Sequence, residues 1–189
     1  MKTTKQVSIP PLKKVKESLD FIYADFEVVR ERWNKYKLED NSILKTKFVL
    51  INVILEKTLD EAVKEFETFI EKGKKPKGVE MGIGFQSRNI MGIEAPRRLR
   101  GEPSSKKYKT KELRASIIKD DLDFEVLEET WNSYKLKNGI TLKIRNSPIN
   151  VSRTSKFDIR GTPIYVVDFG VDMKLDLPTR IKEKIKTKQ

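Results

Sequence analysis

Residues 25–53 recur without a gap 98 positions later: DFEVVRERWNKYKLEDNSILKTKFVLINV is matched by DFEVLEETWNSYKLKNGITLKIRNSPINV at 123–151, with 15 identities in 29 positions. A fixed offset held over that length predicts a tandem duplication of one small folding unit. In a chain of 189 residues it points to two related units fused into one compact body.

The order of elements follows from the pattern of each copy. After Pro10 and Pro11, Leu12, Val15, Leu19, Ile22 and Phe26 fall at helical spacing, and the same offset places Leu113 and Ile117 opposite Val15 and Leu19. A short helix is therefore expected to open each unit. FEVVRE and FEVLEE read as short strands and the Trp-Asn pair after each as a corner. YKLKNGITLKI alternates around Asn138-Gly139, which predicts a type I′ hairpin with positive φ at both central residues; Asp40-Asn41 in the first copy suits that turn less well. FVLINVIL at 48–55 has the continuous apolar character of a strand buried on both faces.

The first copy then carries something that the second lacks. Thr58 and Glu61 form a capping-box pattern, and Leu59, Ala62, Val63, Phe66, Phe69 and Ile70 follow at helical spacing up to Gly73, predicting a helix at about 58–73. Beyond it, GVEMGIGFQSRNIMGIEAP matches RGTPIYVVDFGVDMKLDLP weakly at an offset of 82, and the shortfall from 98 is about the length of that helix with its flanks. Gly82 and Gly84 lack the third glycine and the βαβ setting of a dinucleotide fingerprint, so this stretch is expected to be a bulged or tightly packed strand, with Arg88-Asn89 as a turn. The expected fold is α+β, mainly β: a duplicated small barrel or roll-like unit, each copy opened by a short helix, with one helix inserted in the first copy. The divisions are a basic tail at 1–12, unit 1 at 13–96, a basic connector at 97–111, unit 2 at 112–178 and a basic tail at 179–189.

Composition narrows the chemistry. With no Cys and no His, the chain lacks disulfides, thiolate nucleophiles, imidazole bases and the usual zinc and haem ligands. No cofactor, metal or catalytic residue is expected. No stretch approaches the roughly 20 apolar residues of a membrane span, and MKTTKQVSIPP lacks a signal peptide's apolar centre, so a cytoplasmic protein without a membrane partner is expected.

Charge is what points to a partner. The net charge is +12, and residues 1–16 carry five Lys and no acid, 97–111 carry seven bases and one acid, and 179–189 carry five bases and one acid. The rest of the chain is close to neutral. Basic tails and a basic connector around neutral bodies suit a polyanion, because Lys and Arg gain affinity by releasing counterions from phosphate. The connector is the leading candidate: Arg97, Arg98 and Arg100 offer forked donors for phosphate, and Lys106, Lys107, Lys109 and Lys111 with Tyr108 add charge and a stacking ring. Pro96, Gly101 and Pro103 disfavour a helix there, so it is expected to lie as an extended strap. The expected activity is thus that of a non-enzymatic module that binds RNA or DNA or is associated with a ribonucleoprotein. The alternatives are a structural or assembly subunit acting through protein interfaces, and a metal-dependent hydrolase using acids such as Asp123 and Glu125 of the 120–129 cluster. The repeated Trp33, Asn34 and Tyr36, with Trp131, Asn132 and Tyr134, could stack on a single-stranded base or a sugar, although their recurrence favours a role in folding.

Overall fold

Alternating runs of apolar and polar residues draw most of the chain into strands, which form two five-stranded antiparallel sheets. The computed structural model describes residues 21–73 and 81–187. In chain order the elements are β1 (Ile22–Ala24), β2 (Phe26–Arg30), β3 (Asn34–Leu38), β4 (Ile43–Leu55), α1 (Leu59–Glu71) and β5 (Ile83–Glu94), then a 3₁₀ turn (Arg97–Leu99). They continue as α2 (Thr110–Ala115), β6 (Ile117–Lys119), β7 (Phe124–Glu128), β8 (Asn132–Leu136), β9 (Thr141–Phe157), β10 (Pro163–Asp176) and α3 (Thr179–Thr187). The first sheet runs β7-β3-β4-β5 and the second β2-β8-β9-β10, with β1 on β4 and β6 on β9. Neither closes into the barrel expected from the sequence.

The strand that opens each repeated segment crosses to the other sheet. β2 pairs with β8, aligning Phe26 with Leu136 and Val28 with Tyr134, while β7 pairs with β3, aligning Phe124 with Leu38 and Val126 with Tyr36. The corners are held reciprocally: Asn34 Oδ1 accepts from Thr130 N (3.1 Å) and Asn132 Oδ1 from Arg32 N (3.2 Å). Phe26 meets Tyr134 edge-on at 5.6 Å, and Phe124 meets Tyr36 likewise at 5.6 Å. Both tyrosines are fully buried. Their hydroxyls donate to Glu31 (from Tyr134, 3.1 Å) and Glu129 (from Tyr36, 2.8 Å), the acids just past β2 and β7.

The long hairpins also correspond. β4 pairs with β5 from Ile43↔Glu94 to Leu55↔Ile83, and β9 pairs with β10 from Thr141↔Asp176 to Pro163↔Phe157. Both ladders skip one residue at the same point, Ile51 in one and Ile149 in the other, and both skipped side chains are exposed. The bulge shifts the alternation by one residue, so the buried face takes even-numbered positions up to Leu50 and odd-numbered ones from Val53. β4 therefore alternates between buried Phe48, Leu50, Val53 and Leu55 and more open neighbours. That corrects the expectation that 48–55 is buried on both faces.

Each core draws on both halves of the chain. One joins Tyr36, Leu38 and Leu44 to Leu122, Val151 and Tyr165. The other joins Tyr134, Leu136 and Leu142 to Val53 and is extended by Leu59, Ala62 and Val63 of α1 and Ile181 of α3. α1 has its capping box in place, with Glu61 N donating to Thr58 Oγ1 (3.2 Å) and Thr58 N to the Glu61 carboxylate (2.7 Å). Its apolar stripe closes over this second core.

Several local expectations are corrected. Ile22 lies in β1 and Phe26 in β2, so no helix runs to residue 26; residues 12–20 and the tail 1–12 lie outside the described residues. The helix before the second copy is α2, which ends before Ile117 because β6 begins there and pairs with β9. The hairpin at Asn138-Gly139 is not type I′: Gly139 has φ +86° while Asn138 is not at positive φ, and Gly139 N donates to Leu136 O (2.9 Å). A three-residue loop of this kind needs one left-handed residue, a role that Asn41 (φ +66°) fills in the first copy. Arg88 and Asn89 continue β5 without turning, since each has a ladder partner on β4. Residues 179–187 form α3, docked through buried Ile181.

Candidate functional site

The connector is held against the second sheet by backbone. Gly101 N donates to Gly161 O (3.0 Å) and Ser104 N to Asp158 O (2.9 Å), in the turn between β9 and β10. Two glycines make this approach feasible. A Cβ on Gly101 would lie 2.4 Å from the Phe157 ring, and one on Gly161, at φ +72°, would lie 2.3 Å from Gly101 O. Ser104 Oγ and Tyr108 OH are hydrogen-bonded at 3.1 Å, and Lys106 and Lys156 lie 5.1 and 5.9 Å from the Tyr108 ring centroid. The strap is extended only in its middle. Arg97 and Arg98 form a 3₁₀ turn, and Lys111 sits in α2, whose first turn is closed by Lys109 N donating to Glu112 Oε2 (2.8 Å). The prolines and Gly101 stop helix up to Pro103 and say nothing of residues 110–115.

All seven basic side chains of the strap are exposed, and Tyr108 is half-buried. Arg98 donates to Asp40 O (2.7 Å) and Lys106 pairs with Glu112 (3.0 Å). Arg97, Arg100, Lys107, Lys109 and Lys111 have no side-chain partner among the described residues. The fold adds Lys156 from the end of β9 and exposed Arg160 from the β9–β10 turn. Nothing in the sequence marks those two, because the proximity arises from pairing across more than fifty residues.

Next to the strap, where Arg98 meets Asp40, lies a partly buried ionic network. Asp40 accepts from Ser42 N (2.9 Å), Arg153 Nη1 (2.8 Å) and Tyr165 OH (2.7 Å). Burial acts to raise the Asp40 carboxyl, but these donors outweigh it and hold it below the ordinary carboxylate value. Tyr165 is pushed up to about 12, chiefly by burial. Desolvation, with Glu129 and Glu31 beside them, raises Tyr36 and Tyr134 well above the ordinary phenol value. All three phenols are neutral donors at physiological pH. They support the fold and are poor candidates for proton transfer.

The acids of 120–129 do not form a metal centre among the described residues. Asp120 accepts from Ser152 Oγ (2.6 Å), Glu128 pairs with Lys35 (3.3 Å) and Glu129 with Arg145 (3.7 Å). The two repeated tryptophans differ. Trp131 carries Arg145 at 5.0 Å and Lys174 at 4.5 Å from its ring centroid, whereas Trp33 is 41% exposed beside an open cleft.

The fold and site thus define a mainly β, two-sheet protein with an ordered basic strap across the end of one sheet. Comparison with protein-family models, with curated proteins and with solved structures finds no match for the chain. Among the described residues no helix is long and apolar enough to cross a membrane.

Proposed function

We propose that the protein is a non-enzymatic nucleic-acid-binding module, built on a duplicated unit, which grips the phosphate backbone of RNA or DNA through the connector strap. The observation that carries this reading is the state of the strap's charges. Five of its bases have no side-chain hydrogen-bond or ion-pair partner among the described residues, while the strap's backbone is anchored to the β9–β10 turn at Gly101 and Ser104. A fixed row of unneutralised Lys and Arg gains from displacing phosphate counterions and loses less conformational entropy than a free tail. The contacts would be to phosphate, with little reading of base sequence.

Fluorescence anisotropy with labelled RNA and DNA across a salt series tests it. With five phosphates neutralised, log affinity falls against log salt with a slope of about −4.5 on duplex DNA and about −3.5 on a single strand. Replacing Arg97 and Arg100 by Ala reduces that slope by about two and weakens all sequences alike. Absent or salt-insensitive binding would sink the proposal.

One observation favours an assembly role instead. β5 and β10 each pair on one side only among the described residues, and Ile90, Met91, Val171 and Met173 are exposed on them. Long apolar edges invite pairing with another chain. A salt-resistant homo-oligomer free of nucleic acid in light scattering would support that reading.

A further inference from the structure

The two repeated tryptophans occupy corresponding corners, yet among the described residues only one ring is covered by the protein's own cations. Lys143 pairs in register with Lys174, whose ammonium lies 4.5 Å from the Trp131 ring centroid. In the first sheet, Lys45 pairs in register with Gly92, and a Cβ there would meet nothing within 4 Å. The space that Lys174 fills beside Trp131 is open beside Trp33. It forms a cleft of about 580 Å³, bounded by Glu31, Arg32, Trp33, Lys35, Lys45 and Glu128 together with Gly92. That volume is within the range of small-ligand sites.

The charges decide what suits the cleft. Both lining carboxylates are engaged: Glu31 pairs with Lys47 (3.3 Å) and accepts from Tyr134 OH (3.1 Å), and Glu128 pairs with Lys35 (3.3 Å). Lys45 pairs with Glu94. The Arg32 guanidinium has no ion-pair partner among the described residues, and the corresponding position in the second copy is Thr130. An open indole face beside an uncompensated guanidinium disfavours a cation and suits a planar group carrying an anion. A nucleotide has both, with its base on the ring and its phosphate on Arg32. The cleft also adjoins the strap: Gly92 and Arg97 are five residues apart, a span of at most about 17 Å.

We infer that the Trp33 cleft is a base-stacking subsite that gives the protein a preference for single-stranded nucleic acid. This inference rests on the strap binding phosphate, and one experiment separates the two. Tryptophan emission is followed in a Trp131→Phe variant, in which Trp33 is the only reporter, on titration with a twelve-residue oligothymidylate and with a mixed-sequence duplex of equal length. The single strand quenches Trp33 and the duplex does not. Trp33→Ala lowers single-strand affinity about five- to hundredfold and leaves duplex affinity and its salt slope unchanged, and Gly92→Lys, which supplies a cation to cover the ring as Lys174 does at Trp131, lowers the ratio of single-strand to duplex affinity by a similar factor. Circular dichroism verifies that each variant is folded. If both nucleic acids bind with steep salt dependence but Trp33 emission is unmoved and the variants match the parent, the subsite is refuted and the strap stands. If neither binds, both proposals fail. Quenching by free arginine but not by the oligomer would make the cleft a cation site and overturn the inference.

Discussion

Replacing Gly161 by Ala should loosen the strap by a calculable amount. At φ +72° an L-residue costs about 1–2 kcal/mol in the left-handed region. The new Cβ would also lie 2.3 Å from Gly101 O, so the two backbones must separate. Separation puts at risk the Gly101 N to Gly161 O bond (3.0 Å) and the Ser104 N to Asp158 O bond (2.9 Å). At about 0.5–1.5 kcal/mol each, their loss brings the total to about 2–5 kcal/mol. Gly73 supplies the control. Its φ is +70° and a Cβ there meets nothing within 4 Å, so Gly73→Ala incurs the backbone term alone, about 1–2 kcal/mol. Urea unfolding of the two variants isolates the strap's share, and hydrogen exchange at Gly101 and Ser104 locates it. Protection of those two amides should collapse in Gly161→Ala and persist in Gly73→Ala. Equal stability of the two variants, with both amides still protected, would refute the claim that this glycine pair docks the connector. A freed strap must also be ordered on binding, so Gly161→Ala is expected to weaken nucleic-acid binding while leaving its salt slope nearly unchanged.

Two further outcomes follow from the buried polar groups. Tyr36→Phe removes the 2.8 Å bond to Glu129 and leaves that half-buried carboxylate with Arg145 at 3.7 Å, so urea unfolding should show a loss of about 1.5–3 kcal/mol; unchanged stability would mean that the exchanged strand does not depend on this bond. Because the folded Asp40 carboxyl is held below its ordinary value, its contribution is present above the unfolded carboxylate pKa and is lost as pH falls through the folded one; Asp40→Asn should flatten that part of the acid-unfolding curve, and an unaltered slope would count against the network.

Much of the local structure was legible in the residues. The α1 capping box, the strands around each Trp-Asn corner and even the sixteen-residue shortfall between the two offsets can be read from the chain, and the β4–β5 and β9–β10 ladders follow both offsets, including the shared bulge. Those features depend on short-range chemistry such as capping, alternation and turn preference. The strap's charges were legible too. Its contacts with the β9–β10 turn were not, since Gly161 and Asp158 lie more than fifty residues from their partners and carry no local mark. The hairpin departs from type I′ because an Asn-Gly pair is compatible with more than one turn, and the strand register selects the one used.

By itself, the sequence determined that two similar β segments exist, where the inserted helix starts and where uncompensated positive charge is concentrated. Only the tertiary structure decided that β2 and β7 trade sheets, that each core is made from both halves, and that one repeated tryptophan is capped by cations while the other is open. The reason is physical: periodicity sets which face of a strand is buried, whereas the choice of neighbouring strand depends on how distant side chains fill a shared interior. A single position shows the difference. Gly92 in place of a lysine is unremarkable in the chain, and it leaves the face of Trp33 open.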